Sequence, residues 1–160
     1  MTDARPRPMT AAAWNLAHPK GTHVRYWPVM GDDAYVETQT RSSAWELGSG
    51  SGVVLVNGRT GGIALSHLLV IPPAPIRCGD TVMHWPTGEE WVVAWADPAT
   101  GHLAWCGWPN GTGRIGDCVV VKRASDDEHR DWVQRVAGLR DSRGAICRRL
   151  YPEALEEAVA

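Results

Sequence analysis

The pattern of apolar and polar positions predicts a chain built mainly of short β-strands. Apolar residues alternate with polar ones in segments bounded by Gly, Pro, Asn and Asp, which is typical of half-buried strands. In the first half of the chain, strands are predicted at residues 35–40 and at the short apolar runs 53–56 and 62–65. Asn57 and Gly58 supply the turn chemistry of a hairpin between the last two segments. This half is therefore predicted to form a small antiparallel sheet.

The second half carries the same alternation on larger side chains. Trp91, Val93 and Trp95 alternate along one strand, and Leu103 and Trp105 return on a partner strand. On this alternation Trp91, Trp95 and Trp105 are predicted to share one face and to form the core, because a very small sheet needs large side chains to bury enough apolar surface. The chain has nine Trp and no Phe, so Trp takes most of the aromatic positions.

The two halves repeat a short pattern. GTHVRYWP from Gly21 matches GDTVMHWP from Gly79 at Gly, Val, Trp and Pro, and GIALSHLLV from Gly62 matches GRIGDCVVV from Gly113. The offsets, 58 and 51, make the first copy seven residues longer. A first strand, three further short strands and a tight turn before a last apolar strand are typical of small SH3-like barrels. We therefore predict a mainly β fold with two tandem SH3-like barrels and flanking α-helices.

The predicted organisation has five segments. They are an N-terminal tail and short helix at 1–20, the first barrel at 21–71, a proline-rich linker at 72–78, the second barrel at 79–124 and C-terminal helices at 125–160. The short N-terminal helix, at residues 10–17, is predicted to pack Trp14 and Leu16 against the first barrel.

The C-terminal helices have clear start signals. Ser125 and Glu128 form a capping box ahead of apolar residues at helical spacing. Further helices are predicted to begin near Ser142 and at Pro152, since proline suits the first turn of a helix.

Composition limits the compartment and the class of partner. The N-terminal decapeptide MTDARPRPMT lacks the apolar run of a signal peptide or membrane span, which predicts a cytoplasmic protein. Cys78, Cys106, Cys118 and Cys147 form no CxxC pair and are predicted to be small buried residues. The net charge of −2 does not indicate nucleic-acid binding by the chain as a whole.

Four aromatic residues are candidates for a binding surface. Trp85 and Trp108 each stand beside a proline at a predicted strand end, where a ring is half exposed. Tyr26 and Trp27 occupy the equivalent place in the first half. Aromatic rims of this kind are enriched in protein contact sites and also stack bases or bind cations.

Basic residues concentrate in the C-terminal part, where residues 122–149 hold eight of the sixteen Lys and Arg. Binding candidates among them, for an acidic partner or a phosphate, are Arg140, Arg143, Arg148 and Arg149. The alternative explanation is a solvated helix face.

Catalytic and metal-binding signals are sparse. The sequence has no phosphate-binding loop, no GxSxG and no HExxH motif, and the adjacent Glu89 and Glu90 are expected to point to opposite sides of a strand. The residues considered as zinc ligands are His84, His102, Cys106 and Cys118. They lack the short ligand pairs of zinc sites, so we predict no metal, no cofactor and no catalytic residue.

The run HWPTGEEWVVAWAD, with LAWCGWP and DCVVV after it, resembles a group of small uncharacterised proteins of phages and prophages. GTHVRYWP with GGIALSHLLVI resembles uncharacterised proteins of actinobacteria and their phages. The two resemblances cover residues 21–139 and imply a genomic setting but no activity. Fourteen Arg against two Lys is compatible with a high-GC source.

These observations favour a non-enzymatic protein-binding module of phage type in the cytoplasm of a bacterial host cell. Its partner would be a bacterial or phage protein, with interference in a host defence or regulatory complex as the expected role. The alternative is binding of nucleic acid or a nucleotide-like ligand through Trp stacking and the Arg-rich tail. A zinc-dependent or acid/base enzyme is a third hypothesis. A membrane partner is not expected.

Overall fold

The computed structural model of the protein describes residues 9–107 and 111–156. Its chain is mainly β, with helices near both ends, and divides into two compact units at residues 1–73 and 74–160. None of the helices in the described ranges combines the length and the apolar composition needed to cross a membrane.

The described part of the first unit has one helix and six strands. They are α1 (Ala11–Ala17), β1 (His23–Tyr26), β2 (Val36–Gln39), β3 (Trp45–Glu46), β4 (Gly52–Val54), β5 (Ile63–Ala64) and β6 (Leu68–Val70). All pairings are antiparallel: β1 lies between β2 and β6, and β4 lies between β3 and β5. An isolated bridge between Thr40 and Val56 continues the pairing beyond β2.

Of the two residues of α1 predicted to pack against the first unit, only Trp14 does so. Thr10 caps it by accepting a hydrogen bond from the N–H of Ala13, and Trp14, 4% exposed, packs in the core with Val24. Leu16 is 91% exposed, so its predicted contact with the first unit is wrong. Two positions along an α-helix turn a side chain by about 200°, which places Leu16 on the face opposite Trp14.

The second unit has five strands and three helices in its described residues. They are β7 (Thr81–His84), β8 (Glu89–Asp97), β9 (His102–Trp105), β10 (Gly111–Arg114), β11 (Cys118–Lys122), α2 (Asp126–Ala137), α3 (Ser142–Leu150) and α4 (Pro152–Glu156). Within this unit the strands lie in the order β10-β9-β8-β7-β11, all antiparallel. The last strand thus returns to pair with the first, as β6 does with β1 in the first unit.

A β-bulge places Trp95 on a different face from the one predicted. The register of β8 against β9 shifts between Val93 and Trp95. Trp91 and Trp105 therefore pack on the cluster around Val93, whereas Trp95 packs in a separate cluster against the helices. A bulge adds one residue to one strand and reverses the alternation beyond it, which strict period-two counting does not anticipate.

The two units begin and end their sheets alike. The N–H of Trp27 donates to the carbonyl of His67 at 3.1 Å, and that of Trp85 donates to Asp117 at 3.0 Å. A single 3₁₀ turn precedes the last strand in each unit, which starts at Leu68 or Cys118. These strand starts are 50 positions apart, so the predicted alignment of the second repeated segment, at offset 51, is wrong by one residue.

The predicted helix starts are confirmed. Ser125 and Glu128 form the complete capping box of α2, Asp141 caps α3 and Pro152 begins α4. The hydroxyl of Tyr151 lies 3.1 Å from the N–H of Ala96 and ties the end of α3 to strand β8. The helices therefore cover one face of this sheet.

A buried carboxylate anchors the segment before β7. Asp80 is fully buried and accepts hydrogen bonds from the backbone N–H groups of Arg77, at 3.1 Å, and Ala124, at 2.8 Å. It also forms an ion pair with Arg123 at 3.0 Å. Arg123 in turn donates to the carbonyls of Ala74 and Pro75, so part of the predicted linker is bound to the second unit.

Candidate functional site

Three stacked rings lie at one end of the second unit's sheet. The centroids of His84 and Trp91 are 4.5 Å apart, and those of Trp91 and Trp105 are 3.8 Å apart, both with interplanar angles of 21°. The rings come from β7, β8 and β9, at the end where the β7–β8 and β9–β10 turns lie. All three side chains are half-buried. We call His84, Trp91 and Trp105 the ring stack.

Glycines on β10 make room for the ring stack. A Cβ atom on Gly111 would lie 2.6 Å from Cη2 of Trp105, far inside van der Waals contact, whereas one on Gly113 would lie 3.4 Å from Cζ3 of Trp91. The indole of Trp105 therefore covers the backbone of Gly111. The Gly-Thr-Gly sequence of β10 is a local signal for this packing that the sequence analysis missed.

Trp85 stands next to the ring stack in the turn between β7 and β8, with 40% of its surface exposed. Its backbone still bonds to Asp117 as a continuation of β7. Residues opposite each other in an antiparallel pair share a face, so His84 and Glu89 share the ring-stack face and Met83 and Glu90 share the other. By alternation Trp85 belongs with Met83 and Glu90.

Two exposed carboxylates border this aromatic end. Glu89 and Glu90 open β8 and lie on opposite faces, as predicted for neighbours in a strand. Throughout residues 9–107 and 111–156, no Lys, Arg or His forms an ion pair with either of them. The end of the hairpin thus presents an indole and negative charge to solvent. We call Trp85, Met83 and Glu90 the hairpin face.

The matched hairpin of the first unit holds its own arginine. The guanidinium of Arg25 lies 4.0 Å above the Tyr35 ring and donates to Glu37 at 3.2 Å. Trp27 lies beside it, with its ring 6.1 Å from that of Tyr35. Tyr26, a predicted surface residue, is only 4% exposed and packs in the core. Alternate residues of a strand point into the core, and Tyr26 is one of them, so it is not part of a binding surface.

The arginines of the tail mainly bind within the chain. Arg143 pairs with Asp141 at 2.7 Å, and this guanidinium lowers the pKa of the Asp141 carboxyl. Arg148 donates to the carbonyl of Ala137, and Arg149 lies 3.4 Å from the buried Asp97. Arg140, between α2 and α3, is exposed. The contacts of these side chains are with separate partners and do not bring them together as a phosphate-binding surface.

Three of the four cysteines are buried as predicted, and Cys106 is half-buried. Cys78 and Cys147 are fully buried, and a hydrogen bond between the two thiols raises the pKa of Cys78 and lowers that of Cys147. Burial raises the pKa of both Cys106 and Cys118 to about 11, so these thiols are protonated at neutral pH. Cys106 packs against the helices and Cys118 in the other cluster.

The residues considered as zinc ligands do not converge. His84 belongs to the ring stack and pairs in register with Cys118, whereas His102 is exposed and Cys106 lies in another cluster. In the part of the chain that the structure describes, no group of three or more His, Cys, Asp or Glu side chains could hold a metal ion. Trp108, a predicted rim residue, lies outside the described residues.

No protein-family model, curated protein or solved structure matches the chain. Its function is therefore inferred from the geometry of the aromatic end.

Proposed function

We propose that this protein is a non-enzymatic protein-binding module made of two SH3-like barrels with flanking helices. The strand order of each unit, with a 3₁₀ turn before a last strand that pairs with the first, supports the barrel assignment. The hairpin face of the second unit, on the side of the hairpin opposite the ring stack, is the contact surface. The partner is a bacterial or phage protein met in the bacterial cytoplasm, in a complex of host defence or regulation.

The observation that carries this proposal is the indole of Trp85, 40% exposed at the end of a hairpin whose other face holds the ring stack. Large aromatic side chains on a preformed surface lose little conformational entropy on binding and dominate protein contacts. The two exposed carboxylates disfavour a nucleic-acid backbone at the same place, because phosphates would meet like charge.

Affinity capture from a bacterial lysate with the immobilised full chain, followed by a titration with the purified partner, tests the proposal. Trp85→Ala should weaken the partner's affinity by a factor of about 30, as expected for an aromatic hot spot. The matched control is Trp45→Ala, because Trp45 is also 40% exposed but lies in the first unit. The proposal would be contradicted if the two variants bound the partner equally well. It would also be contradicted if the captured ligand were a nucleic acid whose binding weakens with added salt.

A further inference from the structure

At one matched cross-strand position the two hairpins carry different side chains. Arg25 lies directly opposite Glu37 in the first unit, and Met83 lies directly opposite Glu90 in the second. The residues two positions further on also match, since Trp27 and Trp85 make the same backbone bond to the residue before the last strand. Each hairpin thus has a Trp and a Glu on one face, but only the first has an arginine opposite the Glu.

The first unit shows how an aromatic ring and a carboxylate together hold a guanidinium. The ring there is Tyr35 and not Trp27: Arg25 stacks on Tyr35 and donates to Glu37 at the same time. This combination suits the planar guanidinium, which both stacks on ring faces and pairs with carboxylates. In the second unit Met83 is half-buried and carries no charge, and Glu90 and Trp85 remain exposed.

We propose that the hairpin face of the second unit binds an arginine side chain of the partner protein. The guanidinium stacks on the indole of Trp85 and pairs with the carboxylate of Glu90. Charge complementarity favours this occupant over a phosphate or an acidic peptide. The inference rests on the proposed function and specifies the partner's contact residue.

The test uses the full chain and a synthetic acetylated pentapeptide, Gly-Gly-Arg-Gly-Gly, with an otherwise identical peptide that carries the neutral, isosteric citrulline. Binding is followed through the indole N–H signal of Trp85 in nitrogen-15 NMR spectra, assigned by its loss in Trp85→Ala. A single side chain should bind with a Kd of about 1 mM. The citrulline peptide should bind at least about fivefold more weakly, because it lacks the charge.

Two variants locate the contact. Glu90→Gln should weaken arginine-peptide binding about threefold, whereas Glu46→Gln, which removes an exposed carboxylate of the first unit, should not change it. Met83→Arg should abolish binding, because it supplies the missing guanidinium from within the chain. The urea midpoint of Met83→Arg should remain that of the parent protein, which separates occlusion from unfolding.

Equal binding of the two peptides, full binding to Met83→Arg, or no signal change at about 10 mM peptide would overturn the inference. If Trp85→Ala still loses the captured partner in any of these cases, the proposed function survives and only the arginine assignment fails. If Trp85→Ala retains that partner, the proposed function itself fails.

Discussion

The second unit should depend on the buried carboxylate of Asp80. In Asp80→Asn, an NH₂ group can replace Oδ2, which accepts hydrogen bonds from the N–H of Arg77 at 3.1 Å and from Arg123 at 3.0 Å. The new NH₂ donor then faces the N–H donors of Arg77 and Arg123, and the ion pair between Asp80 and Arg123, whose side chain is 23% exposed, is lost. Removing one partner of a buried ion pair costs about 3 to 5 kcal/mol. We expect a loss of about 3 kcal/mol in the free energy of unfolding, since the second carboxylate oxygen still serves Ala124.

Urea unfolding followed by Trp fluorescence measures this loss. Hydrogen exchange at the amides of β9 assigns it to the second unit. The control is Asp126→Asn, because Asp126 also pairs with an arginine, Arg77, at 3.0 Å but its side chain is 84% exposed. Such a surface pair should contribute less than about 1 kcal/mol. A loss in Asp80→Asn no larger than in Asp126→Asn would refute the reasoning that burial makes this carboxylate essential.

Three further predictions concern packing and thiol chemistry. Gly111→Ala should displace the Trp105 ring and lower the free energy of unfolding by about 1 to 3 kcal/mol, seen in urea together with altered near-UV circular dichroism; an unchanged spectrum would contradict it. Tyr151→Phe leaves the N–H of Ala96 without its hydroxyl partner and should lower the free energy of unfolding by about 1 kcal/mol, whereas an unchanged urea midpoint would show that the bond is dispensable. Burial raises the pKa of Cys106 to about 11; only the thiolate reacts, so its alkylation rate should rise about tenfold per pH unit between about pH 7 and 9, and a plateau in that range would show an ordinary thiol.

Local signals predicted the helices well. The Ser125 and Glu128 capping box and the start at Pro152 depend on residues three or four apart in the chain, and the structure has both. Turn chemistry and alternation likewise placed β2, β4 and β5 within one or two residues, whereas β3 was not predicted. These features follow from short-range sterics and hydrogen bonding, which the sequence displays directly.

The predictions that failed are those in which a shift of one residue changes the result. The bulge after Val93 moved Trp95 from its predicted face to the helix side. In the repeat, the predicted offset matched Leu68 with Val119, whereas the structure matches it with Cys118. Both errors occur in runs of similar apolar residues, where several registers satisfy the same pattern. Only pairing with a partner strand selects among them.

The candidate site was predicted in part. Trp85 is half exposed at a strand end, as its neighbouring proline indicated. The ring stack depends on contacts among three strands, and the pairing of Arg143, Arg148 and Arg149 depends on helix positions. Such contacts join residues that are distant in the chain. Sequence spacing alone therefore did not distinguish arginines that pair within the chain from exposed ones.

One of the differences between the two hairpins is the cross-strand position that Arg25 and Met83 occupy. In the first unit Glu37 is only 7% exposed and pairs with Arg25, whereas Glu90 is exposed. An ion pair to an exposed carboxylate adds little to stability, so the second unit loses little by having Met83 there. The consequence is for recognition: Glu90 keeps its charge without an ion-pair partner in the described chain, and Trp85 keeps an exposed face. Met83→Arg should therefore change binding and leave folding unchanged, and that separation is what an interaction surface, unlike a structural element, requires.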